Sequence, residues 1–428
     1  MPLRCSRAVF ARFAAVAILA TGSLTAVAAD LSSDALTLRE AIRATLASNP
    51  DLKSFAYTLQ AQDARIRSAA QAPAIEMSVE VENVLGTGDV RGLKEAETSL
   101  ALSRVVELGG KRRLRVDAAQ AERDGLTIDR QAAQLDHLAE VTRRFVHVAS
   151  DQKQLELTAE AVRLASATVE AVKRRVDAAK SPEVELHRAN VDLIRAEVEL
   201  EHARHEYASA KVLLAAMWGE TQPRFEAVNA DLYALPTPES FDAFASRLQR
   251  SPDFTRFTSI ARLRDAEVRL AQSQRKADFK LSAGVRRLDA SDDHALVAGF
   301  SMPFGSRSRA QPAIDEATAL ASAVELQKTS ASVNARAQLF AIYQELRHEI
   351  SEAATLRDRV LPQMQEALHE TEYAYERGRY GYLELVDAQR AYLEVQRALI
   401  EASANAHTYR AELERLTAEP LSDSGELP

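Results

Sequence analysis

The chain contains two similar halves, and this duplication constrains its fold more than any other feature of the sequence. Asn49-Pro50-Asp51 recurs 202 residues later as Ser251-Pro252-Asp253. Val184-Glu185-Leu186 recurs 199 residues later as Leu383-Glu384-Leu385. Between the halves, the segment from Gly219 to Ser240 is interrupted by three prolines. We therefore predict two copies of one structural unit joined by a linker.

The N-terminal residues have the composition of a secretory signal peptide. Residues 1–29 contain three arginines and no acid, and their apolar run is shorter than the ~20 residues that a spanning helix needs. The predicted organisation is a signal peptide at 1–29, a first repeat at 30–218, a linker at 219–240, a second repeat at 241–418 and a C-terminal tail at 419–428.

The predicted mature chain is acidic and has no cysteine. The sole cysteine, Cys5, precedes the apolar run of the signal peptide, so we predict neither disulfides nor a lipid anchor. The formal net charge of −8 becomes −11 when the three arginines of the signal peptide are removed. This balance argues against nucleic acid as a partner.

Each half contains a stretch with the alternation of a β-strand and a return strand after a polar loop. Apolar and polar residues alternate from Ile75 to Glu82 and from Phe279 to Arg286. Return strands are predicted from Thr98 to Val106 and, after the loop Asp289 to His294, from Leu296 to Met302. Such alternation is typical of a soluble half-buried sheet and also of a transmembrane barrel. Four strands cannot close a barrel, so a membrane location requires several chains to share one.

Long helices are predicted in both halves. No glycine occurs between Leu126 and Trp218 or between Gly305 and Gly378, and Pro182 is the only proline of the first stretch. Apolar residues recur at heptad spacing, as in Leu155, Val162, Val169 and Val176, in Leu186, Leu193, Leu200, Tyr207 and Leu214, and in Leu385, Tyr392, Leu399, Ala406 and Leu413. We predict two coiled-coil helices of roughly 40 residues in each half, joined by a tight turn.

This order of elements, present twice, resembles the TolC-type outer-membrane efflux family. The residues that carry the resemblance are Asn49-Pro50, Leu108-Gly109-Gly110-Lys111-Arg112, and Gly378 followed by Tyr382 to Gln389. The second of these motifs also resembles the heavy-metal (cobalt–zinc–cadmium) branch. The expected fold is mainly α with a small β part, built from duplicated β-hairpins and long antiparallel coiled-coil helices. The resemblance implies a homotrimer with a twelve-stranded β-barrel continued by an α-helical barrel.

The resemblance also implies a pore gate in the second half. Glu384 and Asp387 are three residues apart and share a helix face, and by the family motif they point into the tunnel near its periplasmic end. Threefold symmetry would bring six carboxylates together and attract cations. Glu185 is the counterpart of Glu384 in the first repeat. The alternative interpretation is that these acids are solvated residues on a helix surface.

By the same resemblance, the helix tips contact a periplasmic adaptor protein. The candidate residues are Gly378, Arg379 and Tyr380 in the second turn and Lys180 and Ser181 in the first. Ordinary turn chemistry explains the glycine equally well. The sequence departs from the family at Ala179, which stands where Gly378 stands in the second turn.

The sequence contains no recognisable catalytic motif, so we predict that it is not an enzyme and needs no cofactor. His202 and His205 share a helix face, but two ligands alone make a weak metal site, and no metal site is predicted. The expected function is a passive exit duct in the outer membrane, with its helices in the periplasm, fed by an inner-membrane RND-type pump through the adaptor. Divalent heavy-metal cations are the expected cargo. The alternatives are a duct for drugs or secreted protein, a periplasmic adaptor, or a structural coiled-coil protein.

Overall fold

The computed structural model describes residues 35–237 and 239–418, so the predicted signal peptide and C-terminal tail lie outside the described residues. The first repeat contains β1 (Ala35–Leu36), α1 (Leu38–Ser48), α2 (Pro50–Ala69), β2 (Ile75–Glu82), β3 (Glu97–Val106), α3 (Lys111–Asp177) and α4 (Glu183–Ala215). The linker contains β4 (Ala227–Val228). The second repeat contains α5 (Phe241–Leu248), α6 (Pro252–Ser273), β5 (Phe279–Leu288), β6 (Asp293–Ser301), α7 (Ser306–Arg309), α8 (Gln311–Thr355), α9 (Leu361–Glu376) and α10 (Tyr382–Thr417).

The motif Asn49-Pro50 marks a helix boundary. Pro50 opens α2, where its missing N–H would have had no partner inside the helix. The Asn49 side chain accepts a hydrogen bond from the Leu52 N–H at 3.0 Å and donates one to the Met217 carbonyl at 2.8 Å. Ser251 stands at the corresponding position before Pro252 at the start of α6, but its side chain makes no capping hydrogen bond. Each motif therefore divides the helical segment that begins its repeat into two helices.

The predicted helix length was wrong for the first helix of each pair. α3 is 67 residues long, whereas α4 has 33, and the second repeat runs as one helix from Gln311 to Glu376. The extra length of α3 includes Gly125, which lies inside the helix. A Cβ there would lie 3.4 Å from the Ser259 hydroxyl of α6, so glycine permits close approach of the two helices. The helix begins after Gly110, whose φ of 71° is left-handed.

A π-helical turn interrupts the long helix of the second repeat. Leu356–Val360 form this turn between α8 and α9, and Pro362 is the second residue of α9. Proline has no N–H to donate to the preceding turn, and a π turn is one way to accommodate it without ending the helix. The Arg357 side chain leaves the turn and donates to the Tyr233 carbonyl of the linker at 3.0 Å.

The four predicted strands are confirmed and form one antiparallel sheet in the order β2-β3-β5-β6. The second hairpin loop is shorter than predicted, because β6 already begins at Asp293. Cross-strand partners share a face, and the rows Val79–Leu100–Val285–Leu296 and Met77–Leu102–Ala283–Ala298 lie on one side. Leu296 is 89% exposed on this side. The monomer thus has a wide exposed apolar sheet face and two unpaired edges, β2 and β6.

The opposite face of the sheet is polar and contains ion pairs. Lys280 Nζ lies 2.7 Å from Glu76 Oε2, and Arg286 contacts Glu82 at 2.8 Å and Glu97 at 2.6 Å. These pairs join strands of the two repeats across the sheet. The alternation predicted from the sequence is therefore present in three dimensions, with apolar residues on one face and paired charges on the other.

The main apolar core lies beside the linker, midway along the helices. The linker strand β4 pairs with β1 in parallel, and Trp218, Phe225 and Leu232 are buried against α1, α3 and α4. The His407 ring of α10 is 3% exposed and donates from Nε2 to the Leu232 carbonyl at 3.1 Å. The linker therefore attaches both repeats to one core. Among the helices that the structure describes, none is long and apolar enough to cross a membrane.

Candidate gate and helix tips

The two helical hairpins end side by side at the pole opposite the sheet. Val172 of α3, Ala189 of α4, Tyr375 of α9, and Tyr382 and Leu385 of α10 are buried in one small cluster there. Each of the two coiled coils contributes to this cluster. The predicted gate and adaptor-contacting residues surround it, so they belong to one site.

Both turns have the same backbone, although one has alanine and the other glycine at the left-handed position. Ala179 has a φ of 53° and Gly378 a φ of 71°. In the first turn, the Lys180 N–H donates to the Arg175 carbonyl at 2.8 Å, and in the second, the Arg379 N–H donates to the Ala374 carbonyl at 2.9 Å. These are Schellman caps, which satisfy the last carbonyls of a helix. The substitution at Ala179 therefore leaves the path of the turn unchanged.

Arg175 joins the two turns. It donates from a terminal nitrogen to the Tyr375 carbonyl at 2.6 Å and from Nε to the Ser181 hydroxyl at 3.1 Å. Its guanidinium also lies 4.6 Å from the centre of the Tyr375 ring. One side chain of the first repeat thus holds the last turn of α9 in the second repeat.

A second polar contact joins α4 and α10, within the first turns of α10. The Tyr382 hydroxyl donates to Asp192 Oδ2 at 2.7 Å, and Arg390 donates to Asp192 Oδ1 at 3.1 Å. Burial, followed by the hydrogen bond to Asp192, raises the pKa of Tyr382, so the phenol stays protonated and can donate. Deeper between the coils, Gln389 donates to the Thr168 hydroxyl at 3.0 Å. These contacts hold the two hairpins together in this conformation.

The predicted gate residues Glu384 and Asp387 are both exposed in the monomer, on the first turns of α10. The Glu384 carboxylate also accepts a hydrogen bond from the Gly381 N–H at 3.1 Å, so it caps its own helix. Glu185 is half-buried near the Tyr375 hydroxyl, which is buried without a hydrogen-bond partner among the described residues. Capping and gating are compatible roles for Glu384, because a carboxylate has several acceptor positions.

The predicted tip residues lie in the two turns. Lys180, Arg379 and Tyr380 are exposed, and Gly378 holds the left-handed position. Ser181 accepts the bond from Arg175, so its hydroxyl is already used within the chain. The exposed side chains of the two turns are therefore a lysine in the first and an arginine with a tyrosine in the second.

Sequence reasoning missed the residues that connect the two tips, namely Arg175, Asp192, Tyr375, Tyr382 as a hydrogen-bond donor, and Arg390. Asp192 and Tyr382 are 190 residues apart in the chain. Only the superposition of the two repeats could have indicated that their neighbourhoods meet. Nothing in the local pattern around Asp192 distinguishes it from the other acids of α4.

The paired histidines of α4 do not form a metal site with other side chains. His202 lies 3.1 Å from Glu206 and His205 lies 3.8 Å from Glu201, each on the same helix. Within residues 35–237 and 239–418, no group of three potential ligands is arranged to hold a metal ion.

The chain is similar in sequence to known efflux and metal-resistance proteins. Residues 41–220 match the family model described as outer membrane efflux protein. The chain is 27% identical over 362 residues to the cobalt-zinc-cadmium resistance protein CzcC of Cupriavidus metallidurans, covering 84% of this chain and 85% of that protein. It is 28% identical over 265 residues to the nickel and cobalt resistance protein CnrC of the same species, covering 60% and 62%.

A solved structure of CusC, a protein that forms a transmembrane channel, is similar to this chain with a TM-score of 0.72. It shares 17% sequence identity and covers 89% of this chain and 92% of that chain. These findings confirm the predicted resemblance to outer-membrane efflux proteins and the predicted fold class.

Proposed function

We propose that this chain, whose residues 41–220 match the outer membrane efflux protein family, is the outer-membrane channel subunit of a tripartite efflux system. Three copies would form a homotrimer whose sheets close a twelve-stranded barrel in the outer membrane, with the helices in the periplasm. The channel is a passive exit duct. A periplasmic adaptor opens it at the helix tips, and an inner-membrane RND-type pump supplies the energy.

One observation carries the proposal, namely the incomplete sheet. Its apolar face is exposed and its edges β2 and β6 are unpaired. In lipid, an unpaired edge leaves backbone groups without hydrogen bonds at a cost of several kcal/mol each. In water, the apolar face would be unfavourably hydrated. Edge-to-edge closure with further copies inside a membrane removes both problems, and it places the polar face around a lumen.

We propose divalent heavy-metal cations as the cargo. The support is similarity to two proteins named for resistance to cobalt, zinc, cadmium and nickel, one of which spans most of the chain. The duct itself contributes carboxylates at its narrow end, Glu384 and Asp387 in each copy. The pump and the adaptor rather than the duct would select the metal, because the described residues contain no ligand cluster.

Membrane fractionation followed by bilayer recording tests the proposal. The full-length protein is expected in the outer-membrane fraction as a trimer in detergent, and it is expected to conduct ions in planar bilayers. Deletion of its gene is expected to lower resistance to cobalt, zinc or cadmium salts. Recovery as a soluble periplasmic protein would contradict the proposal. If metal resistance is unchanged while drug resistance or protein secretion is altered, the proposed metal cargo is wrong and the proposed channel function still stands.

A further inference from the structure

The four junctions between sheet and helices lie at one end of the sheet, and this end is strongly basic. Residues 104–115, 275–280 and 304–310 together contain ten lysines and arginines and two acids, in a chain whose net charge is −8. The loops at the opposite end of the sheet, residues 83–96 and 289–292, contain two basic residues and four acids. The basic charge is therefore concentrated at the helix side of the sheet.

The two acids at this end are already paired. Asp278 lies 2.8 Å from the buried Lys111 Nζ, and Glu107 accepts a bond of 3.0 Å from Arg115. Six further cations at this end are exposed, and none of them pairs with a carboxylate in the part of the chain that the structure describes. We call this group the junction collar, and it consists of Arg104, Arg112, Arg113, Lys276, Arg307 and Arg309.

Two members of the junction collar, Arg112 and Arg113, occupy positions that their own helix disfavours. A helix N-terminus carries a partial positive charge, so cations in the first turn are destabilising and acids are favoured. The separate helices α1, α2, α4, α5, α6 and α10 follow this rule and carry an acid in the first turn. α3 carries none and has Arg112 and Arg113 instead. Arg307 and Arg309 lie in the single turn of α7. Among the residues that the structure describes, no carboxylate pairs with Arg112 or Arg113 to offset this cost.

The junction collar is continuous with the apolar face of the sheet. Arg104 lies on that face, in the row Ile75–Arg104–Leu281–Phe300 at its helix-side end. Phe304, which follows the sheet in the chain, is 90% exposed. Exposed aromatic and apolar groups beside long cationic side chains are typical of the boundary between hydrocarbon and lipid headgroups.

We propose that the junction collar binds the phosphate headgroups of anionic phospholipids in the membrane leaflet that faces the helices. This inference rests on the proposed membrane location of the sheet. The arginines reach the headgroup phosphates from the ends of α3 and α7, while the apolar rows contact the acyl chains. The attraction between these exposed cations and the anionic lipid surface is electrostatic, so it weakens as the salt concentration rises. The lipid phosphate would thus supply the anion that the first turn of α3 lacks.

The test measures lipid-dependent stability of the full-length trimer in a neutral detergent. Phosphatidylglycerol is expected to raise the midpoint of thermal trimer dissociation by several degrees, and phosphatidylcholine is expected to raise it much less. High salt should abolish the difference. Replacement of Arg112, Arg113, Arg307 and Arg309 by Gln should weaken the apparent phosphatidylglycerol affinity by roughly a hundredfold or more. These side chains have no partner within the described chain, so the variant should fold.

A matched control uses two cations at the other end of the sheet. Arg91→Gln with Lys94→Gln also removes two exposed charges and should leave the lipid response unchanged, whereas Arg112→Gln with Arg113→Gln should reduce it. Equal loss in both doubles, an equal response to phosphatidylcholine, or the same stabilisation by inorganic phosphate alone would overturn the proposal. Absence of the wild-type protein from the outer-membrane fraction would instead refute the channel function. Failure of the lipid proposal and failure of the channel proposal are therefore distinguishable.

Discussion

The first and second repeats have the same backbone at their tips but different side chains there. At the offset of 199 residues, Gly378 corresponds to Ala179, and both adopt the left-handed conformation. Asp387 corresponds to Arg188, so the acid pair of the second repeat is an acid and a base in the first. Duplication therefore preserved the geometry that two hairpins need to pack side by side. It left the chemistry of each tip free to diverge.

The contacts between the repeats come from such divergent positions. Asp192 corresponds to Ala391 and Arg175 to Ala374, so neither side chain has a polar counterpart in the second repeat. Tyr375 and Tyr382 correspond to Val176 and Glu183. Each repeat thus supplies one side chain of the Asp192–Tyr382 bond, and two identical repeats could not form this bond.

The largest expected effect concerns His407, whose counterpart Ala208 is exposed. Burial lowers the pKa of His407 to about 4 from its ordinary value of 6.5. The unfolded chain therefore binds a proton that the folded chain does not, and stability present above pH 6.5 is lost as the pH falls towards 4. We expect a loss of about 3 kcal/mol across this interval. Denaturant unfolding at a series of pH values measures it.

The control for this prediction is His407→Gln, which keeps a donor for the Leu232 carbonyl but does not titrate. The slope between pH 6.5 and 4 should become shallower in this variant. A slope equal to that of the wild type would show that other groups cause the acid sensitivity.

The next effect concerns the contact of Asp192 with Tyr382 and Arg390. Asp192→Ala leaves the buried Tyr382 hydroxyl without its acceptor and should cost about 2 kcal/mol of unfolding free energy. It should also increase the open probability in planar bilayers, because one connection between the hairpins is lost. Asp192→Asn retains an acceptor for the phenol and should lose less. If both variants match the wild type in stability and conduction, the contact does not hold the tips together.

The acids of the second tip should control cation block more than those of the first. Glu384→Ala with Asp387→Ala removes both carboxylates from each copy and should raise single-channel conductance. It should also weaken block by divalent cations roughly tenfold, the equivalent of about 1.4 kcal/mol. Glu185→Ala, in the first tip, should change block less. If the double variant and Glu185→Ala weaken divalent-cation block equally, the acids of the second tip do not control block more than those of the first.

The smallest effects concern the left-handed positions of the two turns. A Cβ at Gly378 would meet only Arg175, at 3.9 Å, so backbone conformation alone decides the cost of a substitution. Gly378→Ala should lower the free energy of unfolding by about 1 kcal/mol. Ala179→Gly should raise it by about 0.5 kcal/mol, since relief of strain exceeds the added unfolded-state entropy. Changes of the same sign in both variants would contradict the shared turn geometry.

The duplication, the four strands and the two turns could be predicted from the sequence, because each depends on local chemistry. Alternation of apolar and polar residues defined both faces of the sheet, and Pro182 and Gly378 indicated where the helices turn. Asn49-Pro50 is the same kind of signal, since a capping side chain followed by proline starts a helix in any context.

Helix length and the contacts between repeats could not be predicted in this way. α3 extends over 67 residues and includes Gly125, beside which α6 packs, and this length depends on tertiary packing. The bonds of Arg175 and Asp192 join residues about 190 to 200 positions apart, and they depend on how two long coiled coils are aligned. The gate residues remain a prediction, because their function depends on the arrangement of three copies.

The π turn at Leu356–Val360 changes the phase of the longest helix of the second repeat. Above it, Leu339, Leu346 and Ala353 are buried at intervals of seven residues, and below it Leu368 and Tyr375 continue the same spacing from Leu361. The step from Ala353 to Leu361 is eight residues, and the wider π turn absorbs the extra one, so the buried stripe stays on the same side of the helix while its sequence register shifts by one residue. Without this step, Ala367 and Ala374 would face the neighbouring helix. The extra residue therefore determines that Tyr375, rather than an alanine, reaches Arg175 at the tip.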